Sequence, residues 1–176
     1  MKVSHYPVQP GLFAGEYPGH QSPNVAETRL RELVGNGVRT FIDLTSRADL
    51  ADGLVPYEPL FIEIDDDGSL ELRRHGFEIP DMNIPSGPEL MRGILDLIRA
   101  ELEAGRTCYV HCWGGIGRTG TAVGCWLREC GLDPDSALAR VQHLYGSHMD
   151  AGKLSRYPHS PQQPTQIHYV RNWPDV

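Results

Sequence analysis

Tyr109-Val110-His111-Cys112-Trp113-Gly114-Gly115-Ile116-Gly117-Arg118-Thr119-Gly120 is the stretch from which the rest of the chain can be read. An apolar run from Cys108 to His111 predicts a short buried strand, and the residues after Arg118 predict a helix, so a glycine-rich loop must join them. Cys112 and Arg118 bracket five residues, three of them glycines: Gly114, Gly115 and Gly117. Small residues let such a loop curl tightly and turn successive N–H groups inward. The helix that follows adds its free N–H groups and the positive end of its dipole. A tetrahedral dianion suits that cradle, and the planar fork of Arg118 can grip two of its oxygens. The same field favours a thiolate at Cys112 and makes it a candidate nucleophile. The plainer alternative is a buried structural cysteine ahead of a tight strand-to-helix turn.

Carried by His111, Cys112, Gly115, Gly117, Arg118, Thr119 and Gly120, the pattern His-Cys-(five residues)-Arg-Thr resembles the signature of cysteine-dependent protein tyrosine and dual-specificity phosphatases. The resemblance implies an α/β fold with a central, mostly parallel sheet and helices on both faces. The alternation of strand and helix patterns supports that fold independently. The match is specific from Val38 to Trp173; residues 1–176 read as a single phosphatase domain whose segment 1–21 matches loosely. It also implies a metal-independent phosphomonoester hydrolase working through a phospho-cysteine. Cys112 would attack phosphorus, while Arg118 and the N–H groups of Trp113, Gly114, Gly115, Ile116, Gly117 and Arg118 hold the equatorial oxygens. Thr119 resembles the family hydroxyl that hydrogen-bonds the sulfur. His111 is expected to order the loop and tune Cys112, or else to be purely structural. Neither metal nor cofactor is expected, because Arg118 and the backbone dipoles stabilise the charge.

Such chemistry needs a proton donor for the departing oxygen. Ile79-Pro80-Asp81-Met82-Asn83-Ile84-Pro85-Ser86 is a proline-stiffened loop that presents Asp81 outward. The family carries its acid about thirty residues before the cysteine, often beside proline. Asp81 lies 31 residues before Cys112 and takes that role, with Asp65, Asp66 and Asp67 in reserve. A turn aspartate next to proline is the alternative. Ile79 stands where the strictly tyrosine-specific branch usually has tryptophan. Near the C-terminus, Pro161 to Gln166 resembles the family segment whose glutamine positions the hydrolytic water. Gln166 is the candidate, with Gln163 and Gln162 behind it, and a plain helix cap is the other reading.

Elsewhere the pattern describes scaffold. Val8 to Ala14 predicts a short strand, and Ser22-Pro23 starts a helix that Gly35 and Gly37 end. Val38 to Leu44 predicts a buried strand; if it runs parallel to the strand before Cys112, Arg47 shares the loop's rim, and otherwise it is a solvated loop arginine. Leu60 to Ile64 fits strand or helix, Asp65 to Gly68 a turn, Leu70 to His75 a helical turn, and Phe77 to Ile79 a short strand. Ser86 and Glu89 suggest a capping box for a core helix closed by Gly105. The helix from about Arg118 to Cys130 is apolar nearly all round. Asp133-Pro134 opens another, ended near Gly146; His148 to Ser160 reads as loop, and Ile167 to Trp173 as a last helix.

The length of 176 residues suits one domain with a proper core, and 40% apolar composition excludes disorder. No long apolar run and no basic-then-apolar leader are visible, so the chain reads as soluble and cytoplasmic, without membrane insertion. The four cysteines fit a reducing compartment; Cys125 and Cys130 read as core thiols, with a resolving role in oxidation of Cys112 as the alternative. Eight histidines show no ligand spacing. A net charge of −7 argues against nucleic acid and leaves the loop to attract phosphate locally. Expected partners are phosphorylated proteins or small phosphomonoesters. Phosphoinositides or inositol phosphates would use the same chemistry, but the loop carries no lysine to meet extra phosphates. A silent phosphate-binding module is the rival of another class. Trp113 either stacks on an aromatic substrate or packs under the loop.

Overall fold

The computed structural model describes residues 2–175. One five-stranded sheet runs through it, built from β1 (His5–Gln9), β2 (Leu12–Gly15), β3 (Val38–Asp43), β4 (Arg73–Gly76) and β5 (Thr107–His111) in the order β1-β2-β5-β3-β4. β2, β5, β3 and β4 are parallel to their neighbours, and β1 folds back antiparallel on β2. The fold is therefore the α/β arrangement expected, with the carboxyl ends of four strands on one rim.

Strand alternation divides the core into two layers. Phe41 pairs with Tyr109 and Ile42 with Val110 across β3 and β5. Phe41 and Tyr109 face Leu30 and Leu33 of α1 (Pro23–Gly35) and Phe61 and Ile64 of α3 (Phe61–Ile64). Ile42 and Val110 face the opposite layer, made by α4 (Pro88–Glu103), α5 (Gly117–Glu129), α6 (Pro134–His148) and α8 (Pro164–Asn172). Successive side chains of a strand point to opposite faces, so both faces had to be apolar and both had to be covered.

Helix α5 is buried from Gly117 to Leu127. Gly117, Gly120 and Gly124 lie along one side of it and admit close neighbours. A Cβ on Gly124 would come within 2.8 Å of Val170 on α8, and one on Gly117 within 2.8 Å of the Gln166 amide oxygen. Indole and guanidinium groups tie the pair further, with Trp173 Nε1 donating to Glu129 Oε1 at 2.8 Å and Arg128 Nη2 to Trp173 O at 3.0 Å. This packing carries the start of α8 to the start of α5.

Several local expectations are corrected. The predicted strand over Val8 to Ala14 is two strands, because Gly11 at φ +79 turns the chain between them. Leu60 to Ile64, left open between strand and helix, takes the helical alternative. Arg73–Gly76 is strand β4 rather than a helical turn, since its backbone pairs with Thr40 to Asp43. Phe77 and Ile79 lie beyond β4, although their N–H groups still reach Asp43 O at 2.8 Å and Leu44 O at 3.3 Å. Gly87, not Ser86, is the N-cap of α4, and no side chain caps it. α6 runs on to His148, and the presumed loop after it contains α7 (Ala151–Arg156), capped by the Asp150 carboxylate. Among the described residues no helix is long and apolar enough to cross a membrane.

Candidate active site

Each parallel strand delivers one part of the site from its carboxyl end. β5 leads into the glycine-rich loop 112–118, β3 into α2 (Arg47–Ala51), β4 into the loop of Asp81, and β2 into Gly15, Glu16 and Tyr17. The loop rests on the last of these. Gly115 adopts φ +71, and a Cβ there would lie within 2.6 Å of Gly15 O and Glu16 N. Glycine is thus required twice, by conformation and by space. Helix α5 starts at Gly117 with no side-chain cap, so its first N–H groups keep their hydrogen-bonding capacity at the positive end of thirteen residues of helix.

Arg118 is 1% exposed and is gripped on three sides. Asp49 takes it end-on, Nη1 to Oδ2 at 2.8 Å and Nη2 to Oδ1 at 2.9 Å. Nη1 also donates to Ile79 O at 2.9 Å, and Nη2 pairs with Asp81 Oδ1 at 2.8 Å. Its buried Nε has no hydrogen-bond partner among the described residues. The guanidinium therefore presents a second fork, Nε with the outer hydrogen of Nη2, beside which the 61% exposed carboxylate of Asp81 is the ion-pair partner among the described residues. An oxyanion that displaced Asp81 would find two parallel donors there.

Asp49 belongs to the site although the sequence reading passed it over. It completes a capping box at the start of α2, accepting from Ser46 N at 2.7 Å and Ser46 Oγ at 2.8 Å. Burial works to raise its pKa, and the hydrogen bonds from Arg118 and Ser46 outweigh it and hold the carboxyl below its usual range. The signal was present: Ser46 and Asp49 directly after a strand form a helix-start pattern.

His111 sits under the loop in an aromatic box of Tyr17, Tyr57 and Tyr109. Tyr57 OH lies 2.7 Å from Nε2, and Nδ1 lies 3.3 Å from Cys112 O. A neutral ring with its proton on Nδ1 satisfies both contacts, Tyr57 donating to Nε2. Burial pushes the imidazole below its ordinary pKa, against the pull of Asp43 at 3.8 Å. The same burial drives the Tyr57 phenol well above its ordinary value, so it remains a donor.

The other predicted residues divide. Cys112 is 3% exposed and is a free thiol at the end of β5. Thr119 is fully buried with no hydrogen-bond partner for its hydroxyl among the described residues. Gln166 lies against Gly117, donates to Asn83 O at 3.0 Å, and forms a capping box with Gln163 at the start of α8. It thus joins the Asp81 loop to the glycine-rich loop while also serving as a cap. Gln162 lines a cleft of about 380 Å³ above the loop together with Asp81, Met82, Trp113, Gly114, Ile116 and Tyr157. Trp113 is 40% exposed and forms one wall of that cleft rather than packing beneath the loop. Asp65 and Asp67 use their carboxylates on backbone N–H groups of their own turn. Arg47 points to solvent and pairs with Glu78 at 3.4 Å. Cys125 is buried in the core, where desolvation raises its thiol pKa far above the ordinary value, whereas Cys130, expected as a second core thiol, is exposed at the end of α5.

Known structures share this architecture. Tk-PTP in its active form superposes with a TM-score of 0.69 at 22% identity, covering 96% of this chain and 95% of that one. Kinase associated phosphatase, with its catalytic-site cysteine replaced by serine, gives 0.72 at 19%, covering 98% and 93%. PTPMT1 in complex with PI(5)P gives 0.66 at 14%, covering 96% and 92%. At such identities the likeness is one of fold. The family model described as "Swiss Army Knife protein, DSP-PTPase phosphatase domain" matches residues 16–166, and the chain belongs to that family of phosphatases.

Proposed function

We propose that this phosphatase hydrolyses phosphomonoesters through a phospho-cysteine formed on Cys112, without a metal ion. The observation that carries this reading is Arg118: a buried guanidinium locked end-on by Asp49, with its other fork directed to a site held by one displaceable carboxylate. A substrate phosphoryl group takes that fork and the N–H groups of the loop and of the α5 N-terminus. The Cys112 sulfur attacks phosphorus, and the bond to the leaving oxygen breaks. Asp81, released from Arg118 by the incoming phosphoryl group, takes up a proton from solvent and gives it to that oxygen. In the second half, Asp81 takes a proton from water as the water attacks phosphorus. The sulfur then leaves, assisted by the Thr119 hydroxyl. Gln166, beside Gly117, would hold the water, and His111 would keep the Cys112 carbonyl fixed.

The cleft favours an aryl or peptide-borne phosphate. Met82, Trp113 and Tyr157 are large, partly exposed apolar residues that line it, and Asp81 is its one charged lining residue. An aromatic ring can lie between such walls, whereas a polyphosphorylated inositol would meet no cation there. A second reading, a lipid phosphate, is favoured by the fold shared with PTPMT1 bound to PI(5)P.

Turnover of p-nitrophenyl phosphate, a phosphotyrosine peptide, a phosphoserine peptide and a phosphoinositide, with chelator present, tests both levels. Cys112→Ser should abolish turnover and keep phosphate binding. Asp81→Ala should lose roughly two to four orders of magnitude on the peptides and less on the good aryl leaving group. Normal turnover by Cys112→Ser would sink the mechanism. Folded, reduced wild type that binds phosphate without turnover would make the chain a binding module, and a preference for the phosphoinositide would overturn the aryl reading alone.

A further inference from the structure

The glycine-rich loop is held from outside by donors aimed at its carbonyls. Tyr17 N donates to Trp113 O at 2.9 Å, Lys153 Nζ to Gly114 O at 2.9 Å and Ser160 Oγ to Ile116 O at 2.7 Å. In a trans peptide the carbonyl of one residue and the N–H of the next point in opposite directions. These bonds therefore turn the N–H groups of Gly114, Gly115 and Gly117 away from their anchors. The residues need this help, since none has a side chain to resist rotation of its peptide plane.

Two anchors flank regular elements: Tyr17 follows β2, and Ser160, whose N–H donates to Gln142 Oε1 at 3.0 Å, precedes α8. The third is a lysine side chain on α7, in a stretch without any motif. Lys153 is nonetheless built in. It is 12% exposed, it is paired with the Glu16 carboxylate, and its helix is fixed by Asp150 accepting from Lys153 N at 3.0 Å. Glu16 is itself anchored, accepting from Ser4 N at 2.9 Å. A largely buried ammonium is costly unless it is paired and hydrogen-bonded. Here the partners are one carboxylate and the loop carbonyl between two glycines. If that peptide rotated, a carbonyl oxygen would face the phosphate in place of the Gly115 N–H.

We propose that Lys153 is a positioning residue of the phosphatase site, fixing the Gly114–Gly115 peptide so that its N–H serves the phosphoryl group while the lysine itself never touches substrate. The proposal rests on reading the loop as the phosphate seat. Its test is calorimetric titration of the reduced protein with inorganic phosphate, beside turnover of p-nitrophenyl phosphate. Lys153→Met keeps the aliphatic stem and removes the donor; it should weaken phosphate binding roughly tenfold and lower kcat/KM about 10- to 100-fold. Lys153→Arg should recover most of both, because a guanidinium can donate to Glu16 and Gly114 O together. If Lys153→Met fails to fold, Lys153→Gln should give an intermediate weakening, since it keeps a donor and loses the charge. A purely structural lysine would change the melting temperature and leave phosphate affinity untouched, and that result overturns the proposal while the phosphatase reading stands. Wild type that neither binds phosphate nor turns over substrate would overturn both.

Discussion

Asp49→Asn isolates the lock on Arg118, because it changes one atom of the carboxylate and almost no volume. Asp49 Oδ2 accepts three hydrogen bonds, from Ser46 N, Ser46 Oγ and Arg118 Nη1, and Oδ1 accepts one, from Arg118 Nη2. The best asparagine rotamer puts its single oxygen at the Oδ2 position and keeps three of these. Its NH2 group then faces Nη2, donor against donor, in a site where both residues are at most 2% exposed. The loss is one charge-assisted hydrogen bond plus a buried donor conflict, roughly 2–3 kcal/mol. Two opposite effects reach the reaction. The guanidinium becomes less well aimed, which weakens contacts that tighten in the transition state. It also sheds a neighbouring negative charge, which strengthens attraction for phosphate in the ground state. Aim acts on kcat and charge on KM, so we expect kcat to fall about 30- to 150-fold with KM unchanged or lower. Steady-state turnover of p-nitrophenyl phosphate measures both, with thermal melting to confirm folding. Unchanged kcat, or a rise in KM alone, would show that Asp49 caps α2 and does nothing for Arg118.

Gly115→Ala should be far worse than Gly114→Ala. A Cβ on Gly115 meets backbone at 2.4 Å at a residue whose φ is +71, whereas one on Gly114 meets the Ile116 side-chain end at 3.2 Å. We expect at least about a 100-fold loss of kcat/KM for Gly115→Ala and a loss within about tenfold for Gly114→Ala; equal effects would refute the packing argument. A third prediction concerns acid stability. Hydrogen bonds from Arg106, with a further one from Thr40, outweigh the effect of burial and hold the Glu101 carboxyl down at about 2, from its ordinary 4.5. A value lowered by folding stabilises the native state above the unfolded value and loses that contribution as pH falls from about 4.5 to about 2. With Arg106 about a third exposed, the contribution is about 1–3 kcal/mol. Glu101→Gln should therefore be less stable than wild type at pH 7 and equal to it near pH 2 in denaturant unfolding; a constant difference across that range would refute the linkage.

How much of this was legible in the sequence depended on how local the cause was. The strand, loop and helix around Cys112 could be read because glycine spacing, apolar runs and a cysteine-to-arginine interval are all written within one short stretch. Asp81 could be placed because prolines flank it. The hairpin of β1 and β2 was half seen, since Gly11 alone marks its turn. β4 was missed because Arg73, Arg74 and His75 carry no strand pattern. Its identity comes from pairing with β3 and from Arg74 meeting the buried Asp43 at 2.9 Å. α7 was missed for the same reason, being six residues long with little apolar periodicity. Tyr57 and Lys153 reach the site from 55 and 41 positions away from Cys112. A contact made only by tertiary packing leaves no short-range trace. Asp49 differs, because its capping pattern was visible and its second use, on Arg118, was not.

The charge arrangement limits how the site can attract its ligand. The chain carries −7 overall, and the one guanidinium in the loop is already matched by Asp49 and Asp81. At a distance, then, Arg118 and its two carboxylates sum to −1, and this cluster offers an approaching dianion no attraction. What is left is short-ranged: the N–H groups of the loop, the uncapped start of α5, worth about half a positive charge, and the free fork of Arg118 once Asp81 moves aside. Such a site selects by contact geometry rather than by steering. On the function proposed above, recognition falls to the shape of the cleft that Trp113, Tyr157 and Met82 line, and to the orientation of peptides that have no side chains of their own to hold them. On the same proposal the outside donors on Trp113, Gly114 and Ile116 gain a purpose: with the arginine's charge cancelled, the direction of each loop N–H would decide whether phosphate is held.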